Sequence, residues 1–123
     1  IEVALTEMAA ERAAPENVEE IWNALRDMEA AIQDDEQFAR ADLAFHLAVA
    51  RAGQNIVLEQ LYHLSRRMLS RVIVDWVGRP GVKEESLRLQ RFIAQTIDQG
   101  DSDRARQAAL DHMTYIACLL DEH

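Results

Sequence analysis

Asp42, His46 and His112 are the residues of this sequence whose types and spacing could do chemistry. Asp42 and His46 stand four apart in a stretch with helical periodicity. At that spacing two side chains stack on one helix face, and Val49 and Gly53 continue the same line. His112 falls between Ala108/Ala109 and Tyr115/Ile116, so an imidazole sits inside an apolar stripe. Gln90 lies in line with Leu87, Ala94 and Ile97. Burying such groups costs free energy unless something pairs with them. A carboxylate and two imidazoles from different helices, completed by Gln90 or water, form a ligand set for a divalent transition metal. The competing reading is a core histidine, His46, held by its hydrogen bond to Asp42.

A second cluster is cationic: Arg66, Arg67 and Arg71. At 100° per residue Arg71 lines up with Leu64 and Val57 and adjoins Met68, with Arg67 at the edge of the stripe. An inward guanidinium needs an anion, either an internal carboxylate or that of a bound small molecule, which Arg grips with two prongs. No Gly-rich phosphate loop, nucleophile elbow or HExxH accompanies these groups, so the chain is not expected to be an enzyme. Cys118 reads as an inert packing residue in an apolar helix end. Trp22, Met68, Trp76 and Met113 read as core, and His63 and His123 as surface or terminal.

Gly and Pro are scarce and fall where helices should break, which divides the chain into about six helical segments with no competing strand pattern. The first spans Ile1 to about Ala13. The second begins at Pro15, favoured in a first helical turn, and runs to about Gln33 with Val18, Ile21, Trp22, Leu25, Met28 and Ile32 on one side. Asp34-Asp35 offers a capping carboxylate for the third, which ends at Gly53 as a left-handed residue. Asn55 caps a long fourth helix from Ile56 to about Val77, closed by Gly78 and Pro80. The fifth runs from about Lys83 to Gln99, and Gly100-Asp101 is a stop followed by a cap for the sixth. Short connections favour an all-α antiparallel bundle, a single domain over residues 1–123.

Composition narrows the function classes. The 123 residues, 49% of them apolar, suffice for one ordinary core. A formal net charge of −9, from 22 acidic and 13 basic residues, is the reverse of a nucleic-acid footprint. No run is long enough to span a bilayer and the first residues do not form a signal peptide. With a single cysteine, these point to a cytoplasmic protein without a membrane partner. The chain opens in the middle of an amphipathic pattern, as a part of something longer would.

Asp42-Leu43-Ala44-Phe45-His46, the Gly53-Gln54-Asn55 after it, Gly100-Asp101 with Ala105 behind it, and Asp111-His112-Met113 together resemble the C-terminal effector domain of the FadR subfamily of GntR-type bacterial transcription regulators. Glu2 and the run Met8-Ala9-Ala10-Glu11-Arg12-Ala13 resemble its first helix. The resemblance implies an antiparallel bundle with a central cavity, joined in the intact regulator to an N-terminal winged helix-turn-helix that binds operator DNA as a homodimer. It also implies a divalent metal, zinc, nickel or similar, held by one Asp and three His beneath a small organic acid effector. Asp42, His46 and His112 match three of those ligands. The fourth position falls on Gln90, a poor replacement for imidazole at a transition metal. Arg67, Arg71 and Asn55 are the residues expected at the effector. The rival functions are a metal-dependent hydrolase or isomerase using the same cavity, and a helical interaction domain without ligand.

Overall fold

Local chemistry at the helix ends sets the frame. In the computed structural model, which describes residues 1–121, the chain forms α1 (Glu2–Arg12), α2 (Pro15–Ala30), α3 (Asp35–Ala52), α4 (Ile56–Met68), α5 (Ser70–Val77), α6 (Val82–Asp98) and α7 (Ser102–Asp121). Pro15 occupies the first turn of α2. Asp34 Oδ1 accepts from the Gln37 N–H at 3.1 Å and Asn55 Oδ1 from the Leu58 N–H at 3.1 Å, so both cap residues satisfy donors that the helix cannot. Asp101 does the same for α7 through the Arg104 N–H at 3.1 Å. Gly100, at φ 67, closes α6: its own N–H donates to Ile97 O and the Asp101 N–H reaches back to Thr96 O, both at 3.0 Å. That pair of bonds is a Schellman closure, which needs a left-handed residue.

The packing follows from the apolar faces. α2 lies along α3, α6 along α2 and α7, and α1 is held between α3 and α7. Met28, Phe38 and Phe45 are fully buried where these helices meet, with Ile21, Leu25, Ile93 and Ile97 beside them. Each such side chain contributes about 1.5–3 kcal/mol by leaving water. A satellite cluster of Leu5, Ala50 and Tyr62 joins α1, α3 and α4.

Three expectations need correction. The fourth segment is two helices, so the described residues form seven rather than about six; the break is at Leu69, whose N–H turns back to Arg66 O at 3.2 Å. Neither Gly nor Pro marks it. Breaking there lets α5 send Ile73, Trp76 and Val77 into the main core while α4 buries Tyr62 in the satellite. Gly53 is right-handed, at φ −69, and the left-handed residue is Gln54 at φ 58. Gly53 is needed for closeness instead, since a Cβ there would meet Leu5 O, Leu5 Cδ2 and Ala50 O at 3.3 Å each.

The third correction concerns orientation. The apolar stripe of α4 faces outward: Val57, Leu64 and Met68 are 66%, 53% and 77% exposed. Arg71 and Arg67 go with it to the surface. Met113 and Cys118 are likewise exposed rather than core. Trp22 is partly buried and donates from Nε1 to Asp98 Oδ2 at 3.0 Å, and Trp76 is buried as expected. His63 is partly buried, and His123 lies outside the described residues.

Candidate functional site

Five helices each deliver a polar side chain to one place. α1 brings Glu2 from its first turn, where a carboxylate also suits the helix dipole. α3 brings Asp42 and His46, α4 Tyr62 and Arg66, α6 Gln90, and α7 His112. All line a cavity of about 600 Å³ between the helices. That is within the range of about 300–1,000 Å³ common for small-molecule sites.

The polar groups form a chain of alternating charge. Arg66 Nη2 donates to Asp42 Oδ2 at 2.8 Å, and Gln90 Nε2 donates to Asp42 Oδ1 at 2.7 Å. His46 lies between two carboxylates, with Nε2 3.3 Å from Asp42 Oδ1 and Nδ1 3.2 Å from Glu2 Oε1. The same Glu2 oxygen is 3.0 Å from His112 Nδ1, and the two imidazoles stack with centroids 5.1 Å apart. An ionised carboxylate only accepts, so each Nδ1 facing Glu2 carries its hydrogen.

The protonation states follow from competition between burial and neighbours. Burial pushes the Glu2 carboxyl up, but His46 and His112 outweigh it and hold it well below the usual carboxylate range. Burial likewise raises Asp42, and His46, Arg66 and the Gln90 hydrogen bond outweigh that, leaving it far below its ordinary value. Burial lowers His46, yet Glu2 and Asp42 overcome both burial and the repulsion of Arg66, so His46 is raised. Arg66 stays charged because Asp42 more than offsets its burial. Burial, helped by Glu2, pushes the Tyr62 hydroxyl well above its normal value, so it is a neutral hydrogen-bonding group.

The network is incomplete. Among the described residues four buried side-chain atoms have no hydrogen-bond partner: His46 Nε2, Tyr62 Oη, Arg66 Nε and Gln90 Oε1. The Asp42 contact to His46 Nε2 is close enough for an ion pair but is not aligned as a hydrogen bond. Gln90 must turn its nitrogen to Asp42, because only that end donates, which leaves its oxygen unpaired. Each such atom costs about 1–3 kcal/mol if buried without a partner. All four belong to residues that line one cavity.

The structure thus brings together Asp42, His46, Gln90 and His112 as the sequence suggested, and keeps Arg67, Arg71 and Asn55 away from them. Arg67 and Arg71 are exposed, and the Asn55 side chain is used as the α4 cap. Arg66 is the inward guanidinium, because Asp42 faces it and the next helical turn toward the N-terminus carries Tyr62. The sequence marks Glu2 only through the resemblance of the first helix and not as a site residue. An acidic residue in a first turn is ordinary, and no local pattern distinguishes it from a dipole partner.

The donor chemistry fits a divalent transition metal, though with a different carboxylate from the one expected. Ligand atoms of Glu2, His46 and His112 all lie within 4.8 Å of one another. Two imidazoles and one carboxylate are a donor set used for such ions. Both oxygens of Asp42 are already engaged by Arg66 and Gln90.

Comparison with known proteins places this geometry in a context. The family model described as the FCD domain matches residues 1–115. The chain is 35% identical over 112 residues to the galactonate operon transcriptional repressor of Escherichia coli K12, covering 89% of this chain and 48% of that protein. It is 32% identical to the HTH-type transcriptional regulator LutR of Bacillus subtilis, covering 98% of this chain and 57% of the relative. It therefore spans about half the length of these curated relatives. The solved structure of E. coli McbR/YncC superposes with a TM-score of 0.71 at 18% identity, over 99% of this chain and 63% of that one, which shows a shared fold.

Proposed function

This chain belongs to the FCD domain family, and from that premise we propose that it is the effector-sensing domain of a bacterial transcription regulator. A small organic acid enters the cavity and its carboxylate meets Arg66 and the imidazoles of His46 and His112. The observation that carries this reading is the set of four unpartnered buried polar atoms, two of them on cationic side chains, around one cavity. A guanidinium already paired on one edge with Asp42 keeps Nε for a second anion.

A resident metal would be held by Glu2, His46 and His112, and would supply a Lewis-acidic contact for the effector carboxylate. In this chain's own groups, Arg66 binds the anion and Gln90 and Arg66 fix Asp42. Asp42 and Glu2 hold the His46 proton. Catalysis is not required of any of them, in keeping with relatives that are named as regulators.

The switch follows from linkage. A ligand shifts an equilibrium only by its differential affinity for two arrangements. In the proposed full-length cytoplasmic homodimer, the effector would favour one spacing of two winged helix-turn-helix domains and so change operator affinity. No described helix is long and apolar enough to cross a membrane. Calorimetric titration of organic acids into metal-loaded and chelator-stripped protein tests the reading, together with operator release by the full-length regulator. A saturable acid whose binding and operator effect are both lost in His112→Ala supports it. Absence of any acid binding in both preparations, or operator release unchanged in His46→Ala and His112→Ala, overturns it.

A further inference from the structure

The cavity has a polar floor and apolar walls, and the division follows the helices. From His112, α7 continues through Ile116 to Leu119, and from Gln90, α6 runs back past Ser86 to Val82; α5, beyond the break at Leu69, adds Ile73 and Trp76 to the wall. Seven residues of helix rise about 10 Å. The walls therefore extend well beyond the reach of a two- or three-carbon acid seated on the floor.

The walls are also unfinished. Leu69, Val72, Met113 and Leu120 line the cavity yet are 42%, 39%, 38% and 53% exposed. Beyond the floor the described side chains of the lining offer few groups for hydrogen bonding, the Ser65 and Ser86 hydroxyls and the Trp76 indole N–H. A ligand with hydroxyls along its length would exchange water for apolar contacts there and lose hydrogen bonds at each step. A ligand with a hydrocarbon body would remove wall and ligand surface from water together.

We propose that the effector is an amphipathic monocarboxylic acid, its carboxylate at the Arg66 end of the cavity and an aliphatic or aromatic body several carbons long against α5 and α7. This rests on the carboxylate-sensing reading above and names its ligand class. The acid is distinct in chemistry from the polyhydroxy acid whose operon gives one relative its name, galactonate.

The test is a calorimetric series of butanoate, hexanoate, octanoate and 3-phenylpropanoate against gluconate and L-lactate, with zinc-loaded and with chelator-stripped protein. Affinity should rise by about fourfold per added methylene along the straight-chain series. Octanoate should bind about tenfold or more tighter than gluconate. Val72→Asp places a charge on the wall at a part-exposed position, which spares folding. It should weaken octanoate by about tenfold and leave L-lactate unchanged. A series flat with chain length, or gluconate binding more tightly than octanoate, overturns the amphipathic class and leaves carboxylate sensing standing. No binding by any of the acids, in either preparation, overturns both.

Discussion

Replacing Arg66 with methionine removes one partner of a buried ion pair while keeping most of the side-chain volume. The Arg66 and Asp42 side chains are 11% and 9% exposed, and Nη2 and Oδ2 are 2.8 Å apart. Breaking a buried pair costs about 3–5 kcal/mol because the remaining charge is uncompensated. Asp42 keeps the Gln90 donor at 2.7 Å and the His46 imidazole at 3.3 Å, so a loss at or just below the bottom of that range, about 2–3 kcal/mol, is expected at pH 7. For a domain of this size the melting temperature should fall by about 10 °C. The double variant Arg66→Met/Asp42→Asn buries no unpaired carboxylate and keeps an acceptor for Gln90, so it should regain about half of the loss or more. The pH dependence has a definite sign. Asp42 is depressed in the fold, so what it contributes is present above its unfolded value of 3.8 and is lost as pH falls below it. The gap between wild type and Arg66→Met should therefore narrow in acid. Thermal and urea unfolding followed by circular dichroism reads all three quantities. A single-variant loss under about 0.5 kcal/mol, or a double variant no more stable than the single, would refute the reasoning.

Glu2→Ala should weaken zinc binding by about tenfold or more in competition with a chromogenic chelator, since it removes the one carboxylate of the ligand set; unchanged affinity would count against the site. Glu2→Gln should lower the His46 pKa, read by NMR titration of the imidazole, because Glu2 is the largest influence raising it. The metal-free domain should be most stable between about pH 4.5 and 6.5 as far as these groups contribute. Glu2 is depressed, so its share is lost as pH falls below its unfolded 4.5, whereas His46 is raised, so its share is full below 6.5 and lost as pH rises through the folded value. Unfolding free energies measured from below that range to above it check the prediction, and a profile that falls on neither side would contradict it. Gly100→Ala should cost about 1 kcal/mol in urea unfolding, from a Cβ at φ 67 rather than from contact, since the nearest atom is Ala10 O at 3.6 Å.

Much of the frame was legible in the sequence because it is local. Pro15, Asp34, Asn55, Gly100 and Asp101 set helix ends through their own hydrogen bonds or backbone freedom, and these depend on residues a few positions away. The convergence of Asp42, His46, Gln90 and His112 was legible for a related reason: helical spacing forced each inward from its own apolar face. What the tertiary structure alone decided is which neighbours those groups meet. The apolar residues of α4 suggested a buried face that would carry Arg71 with it. The helix instead turns Tyr62 and Arg66 inward and leaves Val57, Leu64 and Met68 outside, because the Asp42 carboxylate on α3 pairs with Arg66. Glu2 is 44 positions from His46 and 110 from His112, yet one of its oxygens faces both imidazoles. Periodicity records the face a residue occupies on its own helix, whereas charge pairing depends on how separate helices are docked.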